Sequence, residues 1–144
     1  MYLIDTCVIS EFVARTPNKD VVQWIESLDP DDVYLSVITI GEIQKGVEKL
    51  AECRRKEDLR AWLNNDLLAR FSGRILEIDV PVMLVWGEMV GRFERSAKTV
   101  PAMDSLIAAL AMANSFKLVT RNVKDFRFTG VDLVNPWDLN SKEI

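Results

Sequence analysis

The chain has 144 residues, 49% of them hydrophobic, enough for one substantial core and too few for two, so one domain spanning 1–144 is expected. It has no histidine, which excludes Ser-His triads, histidine general bases and histidine-containing zinc sites. The formal net charge of −4 argues, taken alone, against a partner held mainly by its phosphate backbone.

The opening Met1-Tyr2-Leu3-Ile4-Asp5 has no basic flank and places a carboxylate in its first apolar run, so it does not read as a signal peptide. The later apolar runs, Val80–Val85 and Leu106–Met112, are far too short to span a bilayer, and no membrane association is expected. Cys7 and Cys53 have neither disulfide-framework nor metal spacing, which points to a reducing, cytoplasmic setting. The basic residues are clumped: Arg54, Arg55, Lys56 and Arg60, then Arg92, Arg95 and Lys98, then Arg121, Lys124 and Arg127. Such clumps ordinarily form solvated faces.

In chain order, Tyr2–Ile4 reads as a buried strand ending at Asp5. A helix is expected over Ser10–Ala14, stopped by Pro17, and a second over Val21–Leu28, capped by Asn18 or Asp20. Asp29–Asp32 is a turn, Val33–Leu35 a strand, and Ser36 the N-cap of a helix reaching about Leu50. In that helix Ile40, Ile43, Val47 and Leu50 are expected to mark the core face. A charged helical stretch covers Ala51–Arg70, followed by a strand over Ile75–Ile78 and helices over Val80–Ala97 and Ala102–Ser115. Strands over Lys117–Thr120 and Val131–Val134 close the chain. Short apolar strands alternating with helices predict an α/β domain with a central, mostly parallel sheet of four or five strands flanked by helices.

In such sheets, sites form beyond the carboxyl ends of the strands. Asp5 closes the first strand, Asn122 and Asp125 follow the strand Lys117–Thr120, and Asp104 lies in the first turn of the helix feeding it. Glu42 lies about 200° around its helix from Ile40, on a face with Ile38, Thr39 and the small Gly46. Singly, each acid has a structural explanation: Asp104 at a helix N-terminus, Asp125 in a turn. Asp5 is the hardest to dismiss, because it ends an almost wholly apolar strand. If the strands are parallel neighbours, the acids converge on one rim. Clustered carboxylates repel unless a cation sits among them, and oxygen-only ligands suit Mg²⁺ or Mn²⁺. Such an ion polarises a phosphodiester and activates water without histidine. It also answers the charge objection, since a metal-filled acidic pocket attracts phosphate.

Four segments carry a family resemblance. Leu3-Ile4-Asp5-Thr6-Cys7-Val8-Ile9-Ser10-Glu11 resembles the opening signature of PIN-domain nucleases, and Ser36-Val37-Ile38-Thr39-Ile40-Gly41-Glu42-Ile43 their second motif. Pro101-Ala102-Met103-Asp104-Ser105-Leu106-Ile107-Ala108-Ala109 is similar to the third, and Leu118-Val119-Thr120-Arg121-Asn122 with Asp125-Phe126 to the fourth. Together with Phe71–Leu76 and the closing Val134-Asn135-Pro136-Trp137, the likeness runs nearly end to end and is closest to VapC-type toxins of the FitB-like branch. It implies a PIN fold, one or two Mg²⁺ or Mn²⁺ ions, and endonucleolytic cleavage of an RNA substrate. It also implies a homodimer held by a cognate antitoxin, with DNA met only indirectly through that antitoxin. Carried over by position, Asp5, Glu42 and Asp104 are the core metal ligands, supported by Thr6, Thr120 and Asn122. Arg121 and Lys124, from the last basic clump, are the candidate RNA-guiding residues.

There are two departures from the family pattern. Cys7 stands where the opening motif usually has Asn, and reads as a small core residue rather than a ligand. The fourth acid is often at position 122, here an amide; the Asn-plus-acid pattern that also occurs in the family implies Asp125 as the replacement catalytic and metal-binding carboxylate, the alternative being a second metal bound weakly or only with substrate. The competing enzyme readings fail on spacing. An Asp-nucleophile phosphatase needs a second Asp at Cys7, a cysteine phosphatase needs Arg at Val13 or Leu59, and a receiver module needs Asp where Ser36 stands. A PIN fold without efficient turnover, acting only by binding its partner, is the alternative reading.

Overall fold

The computed structural model describes residues 1–139, with strands β1 (Tyr2–Ile4), β2 (Val33–Ser36), β3 (Ile75–Leu76), β4 (Lys117–Val119) and β5 (Leu133–Val134). They form one five-stranded sheet in the order β3-β2-β1-β4-β5, with every neighbouring pair parallel. Parallel neighbours require crossovers. These are supplied by the helices α1 (Thr6–Ile9), α2 (Lys19–Glu26), α3 (Val37–Glu48), α4 (Arg54–Ala61), α5 (Leu68–Arg70), α6 (Val80–Arg95), α7 (Ala102–Ala113) and α8 (Val123–Phe126).

Alternation along each strand sends successive side chains to opposite faces, and both faces are covered. Leu3 and Leu118 pack with Met89 of α6 and with Ile107 and Leu110 of α7. Ile4 and Val119 turn the other way, toward Val8, Val21, Ile43, Val47 and Leu67. The α/β architecture is therefore three layers deep, and β1, with Leu3 and Ile4 buried, is its central strand. No helix among the described residues is long and apolar enough to cross a membrane.

Several boundaries differ from expectation for local reasons. The first helix begins at Thr6 rather than Ser10, because the Asp5 carboxylate caps it by accepting from the Thr6 N–H; a 3₁₀ turn over Ser10–Val13 continues it. Asn18, not Asp20, caps α2, accepting from the N–H groups of Asp20 and Val21. The stretch 51–70 is not one helix: α4 starts only at Arg54, and a π-helical turn over Trp62–Leu67 precedes α5. The last strand is shorter than expected and starts at Leu133, and β3 is limited to its pairing with Leu35 and Ser36. On α3 the buried residues are Ile38, Thr39, Ile43 and Val47, whereas Ile40 is only half-buried and Leu50 is exposed. The core-facing stripe is thus rotated toward Ile38 and Thr39, which carries Glu42 toward the rim of the sheet.

A buried lysine closes the far end of α3. Lys56 Nζ donates to the carbonyls of Leu50 at 3.0 Å and Glu48 at 3.4 Å, and pairs with Glu52 at 3.0 Å. It satisfies carbonyls that a helix C-terminus leaves without partners.

Candidate active site

The parallel register puts three chain ends side by side. Ile4 pairs with Val119, and the Asp5 N–H continues the ladder to the Val119 carbonyl at 2.9 Å. The next residues, Asp5 and Thr120, are therefore adjacent: the Thr120 hydroxyl donates to Asp5 Oδ2 at 2.8 Å. Asp5 Oδ1 accepts from the Thr6 N–H at 2.8 Å. Asp5 is only 6% exposed and Thr120 is fully buried, so the carboxylate is fixed in orientation before anything binds. Burial pushes its pKa above the ordinary carboxylate value, and the hydrogen bonds from Thr120, Thr6 and Cys7 oppose that rise.

Glu42 is reached from the same strand end through hydroxyls. The Thr6 hydroxyl donates to Glu42 Oε1 at 2.8 Å and lies 3.1 Å from the Thr39 hydroxyl. Thr39 in turn lies 3.4 Å from the Ser36 hydroxyl, which caps α3 by accepting from the Thr39 N–H at 3.1 Å. Ser36 and Thr39 are buried, yet every polar atom of the chain of hydroxyls has a partner. Polar residues on a buried helix face are costly unless satisfied in this way. The sequence reading assigned Ser36 only a capping role and gave Thr39 none. The usable signal was a pair of hydroxyl residues three apart at the strand–helix junction, one turn before Glu42.

Asp104 faces this pair from the first turn of α7, half-buried beside Ser105, whose hydroxyl accepts from Trp86 Nε1 at 2.9 Å. Its pKa rises from the ordinary 3.8 to about 6, first through burial and then through the charges of Asp5, Asp125 and Glu42. All four acids singled out in the sequence therefore share one electrostatic neighbourhood. Asn122 continues from Thr120, its N–H donating to the Thr120 hydroxyl at 3.1 Å, and Asp125 is exposed in α8. Cys7 is half-buried, its Sγ 3.8 Å from Asp5 Oδ2 and 3.7 Å from Thr120 Oγ1. Burial and the Asp5 charge push its thiol up, favouring the neutral form. Arg121 lies with its guanidinium 5.2 Å from the Trp137 ring centroid, and Lys124 is exposed.

Among the described residues no three of the acids and cysteines are gathered tightly enough to hold one ion. The donor set nonetheless fits a hard divalent cation, for two reasons. The candidate ligands are carboxylates, and two of them, Asp5 and Asp104, are held partly desolvated at a cost in pKa that a cation would reverse.

The PIN domain family model matches residues 2–131. Toxin FitB of Neisseria gonorrhoeae (strain ATCC 700825 / FA 1090) is 39% identical over 137 residues, covering 95% of this chain and 99% of that protein. VapC ribonuclease Y4jK of Sinorhizobium fredii (strain NBRC 101917 / NGR234) is 30% identical over 138 residues, 96% of this chain and 99% of that protein. The crystal structure of FitAcB from Neisseria gonorrhoeae matches with a TM-score of 0.91 at 39% identity, covering 96% of this chain and 100% of that one. With the parallel sheet and its acidic rim, these likenesses show that the chain belongs to the PIN-domain family, in the FitB-like branch of VapC-type toxins.

Proposed function

We propose that the chain is a Mg²⁺- or Mn²⁺-dependent endoribonuclease acting as the toxin of a toxin–antitoxin module. The observation that carries this reading is the meeting of distant acids at one sheet rim: Thr120 bonds Asp5, Thr6 bonds Glu42, and Asp104, its pKa raised to about 6 by burial and then by the charges of Asp5, Asp125 and Glu42, lies within their reach. In this reading Asp5, Glu42 and Asp104 hold one or two ions, and Asp125 completes the set beside Asn122. A bound divalent cation supplies a polarised phosphodiester and a more acidic water. The rest is done by the chain. Thr120 and the Thr6 N–H keep the Asp5 oxygens aimed at the rim, and the Thr6 hydroxyl holds Glu42. With Asp104 half-exposed, the rim stays open to a substrate phosphate. A relative named a ribonuclease supports RNA as substrate, and one named a toxin supports a neutralising antitoxin as partner.

The test is cleavage of a labelled single-stranded RNA by the purified chain freed of antitoxin. Mg²⁺ or Mn²⁺ restores internal cuts and EDTA removes them; cutting that persists at full rate in EDTA contradicts the reading. Thr39→Val checks the hydroxyl chain. It keeps side-chain volume, removes a buried polar link worth about 1 kcal/mol, and is expected to weaken Mn²⁺ binding several-fold by calorimetry. Thr39→Ser restores that affinity, and an unchanged affinity in Thr39→Val removes Thr39 from the site.

The homodimer belongs to the same proposal. Along α6, Val80 is 71% and Leu84 69% exposed, followed on the same face by exposed Gly87 and Gly91, with exposed Met103 at the start of α7. A two-fold contact pairs one patch with its own copy, and glycines permit close helix approach. Leu84→Glu is expected to convert a dimer to a monomer in light scattering; a wild-type monomer at high concentration contradicts the pairing.

A further inference from the structure

Next to the acidic rim lies an open cleft of about 510 Å³, between the β4–α8 loop and the segment after β5. Arg121, Lys124 and Arg127 line it from one side and Asn135 from the other, and Asp125 and Asp138 lie on its wall. Among the described residues neither Lys124 nor Arg127 is ion-paired, and both are exposed. Arg121 differs: its guanidinium stacks on Trp137 at 5.2 Å, so it presents a flat cationic plate rather than a mobile point charge. The cleft is continuous with the acids. It shares Asp125 with them, and its first wall residue, Arg121, directly follows Thr120, which hydrogen-bonds Asp5.

We propose that this cleft is a nucleotide subsite for single-stranded RNA flanking the cut phosphodiester. Lys124 and Arg127 bind consecutive backbone phosphates, and the Arg121 guanidinium, held from outside the cleft by Trp137, forms a platform for an unstacked base. The volume suits one nucleotide rather than a duplex, which proteins read across successive minor grooves. A cationic groove beside an aromatic stack is how single strands are held without a duplex. Lys124 and Arg127, exposed and, among the described residues, not ion-paired, also explain how a chain of net charge −4 takes a polyanion: the attraction is local. The inference rests on the ribonuclease reading for the identity of the strand, and it adds Arg127, Asn135 and Trp137 to that reading.

The test separates the two. Binding of a short fluorescein-labelled single-stranded RNA is followed by anisotropy over a range of salt, in an Asp104→Asn background with Mg²⁺ so that the probe stays intact. Lys124→Gln with Arg127→Gln is expected to weaken binding about tenfold and to reduce the slope of log affinity against log salt by about 1.4, two contacts at about 0.7 each. The charge-keeping swap, Lys124→Arg with Arg127→Lys, stays close to the parent. So does Lys49→Gln, just past the distant end of α3. Unchanged affinity and slope in the double Gln variant, with its melting curve intact, overturn the subsite even if the wild type cuts RNA. The expected loss of binding upholds the subsite even if no metal supports cutting, in which case the nuclease reading alone fails.

Discussion

Asp5→Asn is expected to lower RNA cleavage about 10³-fold, roughly 4 kcal/mol of transition-state stabilisation, while the protein stays folded. The two effects separate because the carboxylate has two kinds of partner. As the cap of α1, the Asn Oδ1 accepts from the Thr6 N–H as Asp does, while its Nδ2 donates to the Thr120 hydroxyl, reversing the bond that Asp5 accepts. The cap is kept, and the negative charge is lost. Because burial already holds the Asp5 carboxyl above its ordinary pKa, removing that charge does not destabilise the metal-free fold. Thermal melts give the complementary readout: Mn²⁺ raises the wild-type melting temperature and leaves Asp5→Asn unmoved. A variant that cuts RNA at the parental rate removes Asp5 from the chemistry.

The second large effect is a change of sign at Asp104. Its folded pKa, about 6, lies above the ordinary 3.8, so the native state binds the proton more tightly than the unfolded chain does. Stability of the metal-free protein therefore falls as pH rises between about 4 and 6, and the full penalty is present at neutral pH. Asp104→Asn escapes it. The variant is expected to be more stable than wild type at neutral pH by about 1 kcal/mol, once solvent screening of a half-exposed group is allowed for. That is roughly 2–4 °C in melting temperature. The gain vanishes near pH 4, where the wild-type carboxyl is protonated in both states. In saturating Mn²⁺ the order reverses, because only the wild type offers the ligand. Melting curves of both proteins across pH, with and without Mn²⁺, check this; equal stability at every pH would contradict the charge crowding.

Much of this arrangement is legible in the residues themselves. Asp5 is conspicuous because it ends the apolar run Leu3-Ile4, and a parallel sheet follows from short apolar strands alternating with helices, whereas the order that sets β1 between β2 and β4 comes only from the fold. Asp104 and Asp125 are visible as acids bracketing β4. What was hidden has a common cause: one residue serving two purposes. Asp5 read as a site acid masked its role as a helix cap, so α1 was expected to begin too late. Thr39 reads only as a neighbour of Glu42 on the face away from Ile40, and only the packed helix shows that its hydroxyl is buried against Thr6. Lys56 read as part of a solvated basic clump, but it is 5% exposed and closes α3. Arg121 read as a free cation until its contact with Trp137, distant in sequence, was in view. Long-range partners of single polar residues leave no periodic trace.

The most direct test of the central claim is the anomalous diffraction signal from a crystal of the wild-type chain grown with Mn²⁺. One strong peak is expected, bonded to oxygens of Asp5 and Asp104, with Glu42 drawn in directly or through a water. A peak lying elsewhere, or Asp5, Glu42 and Asp104 left apart at saturating Mn²⁺, would contradict it.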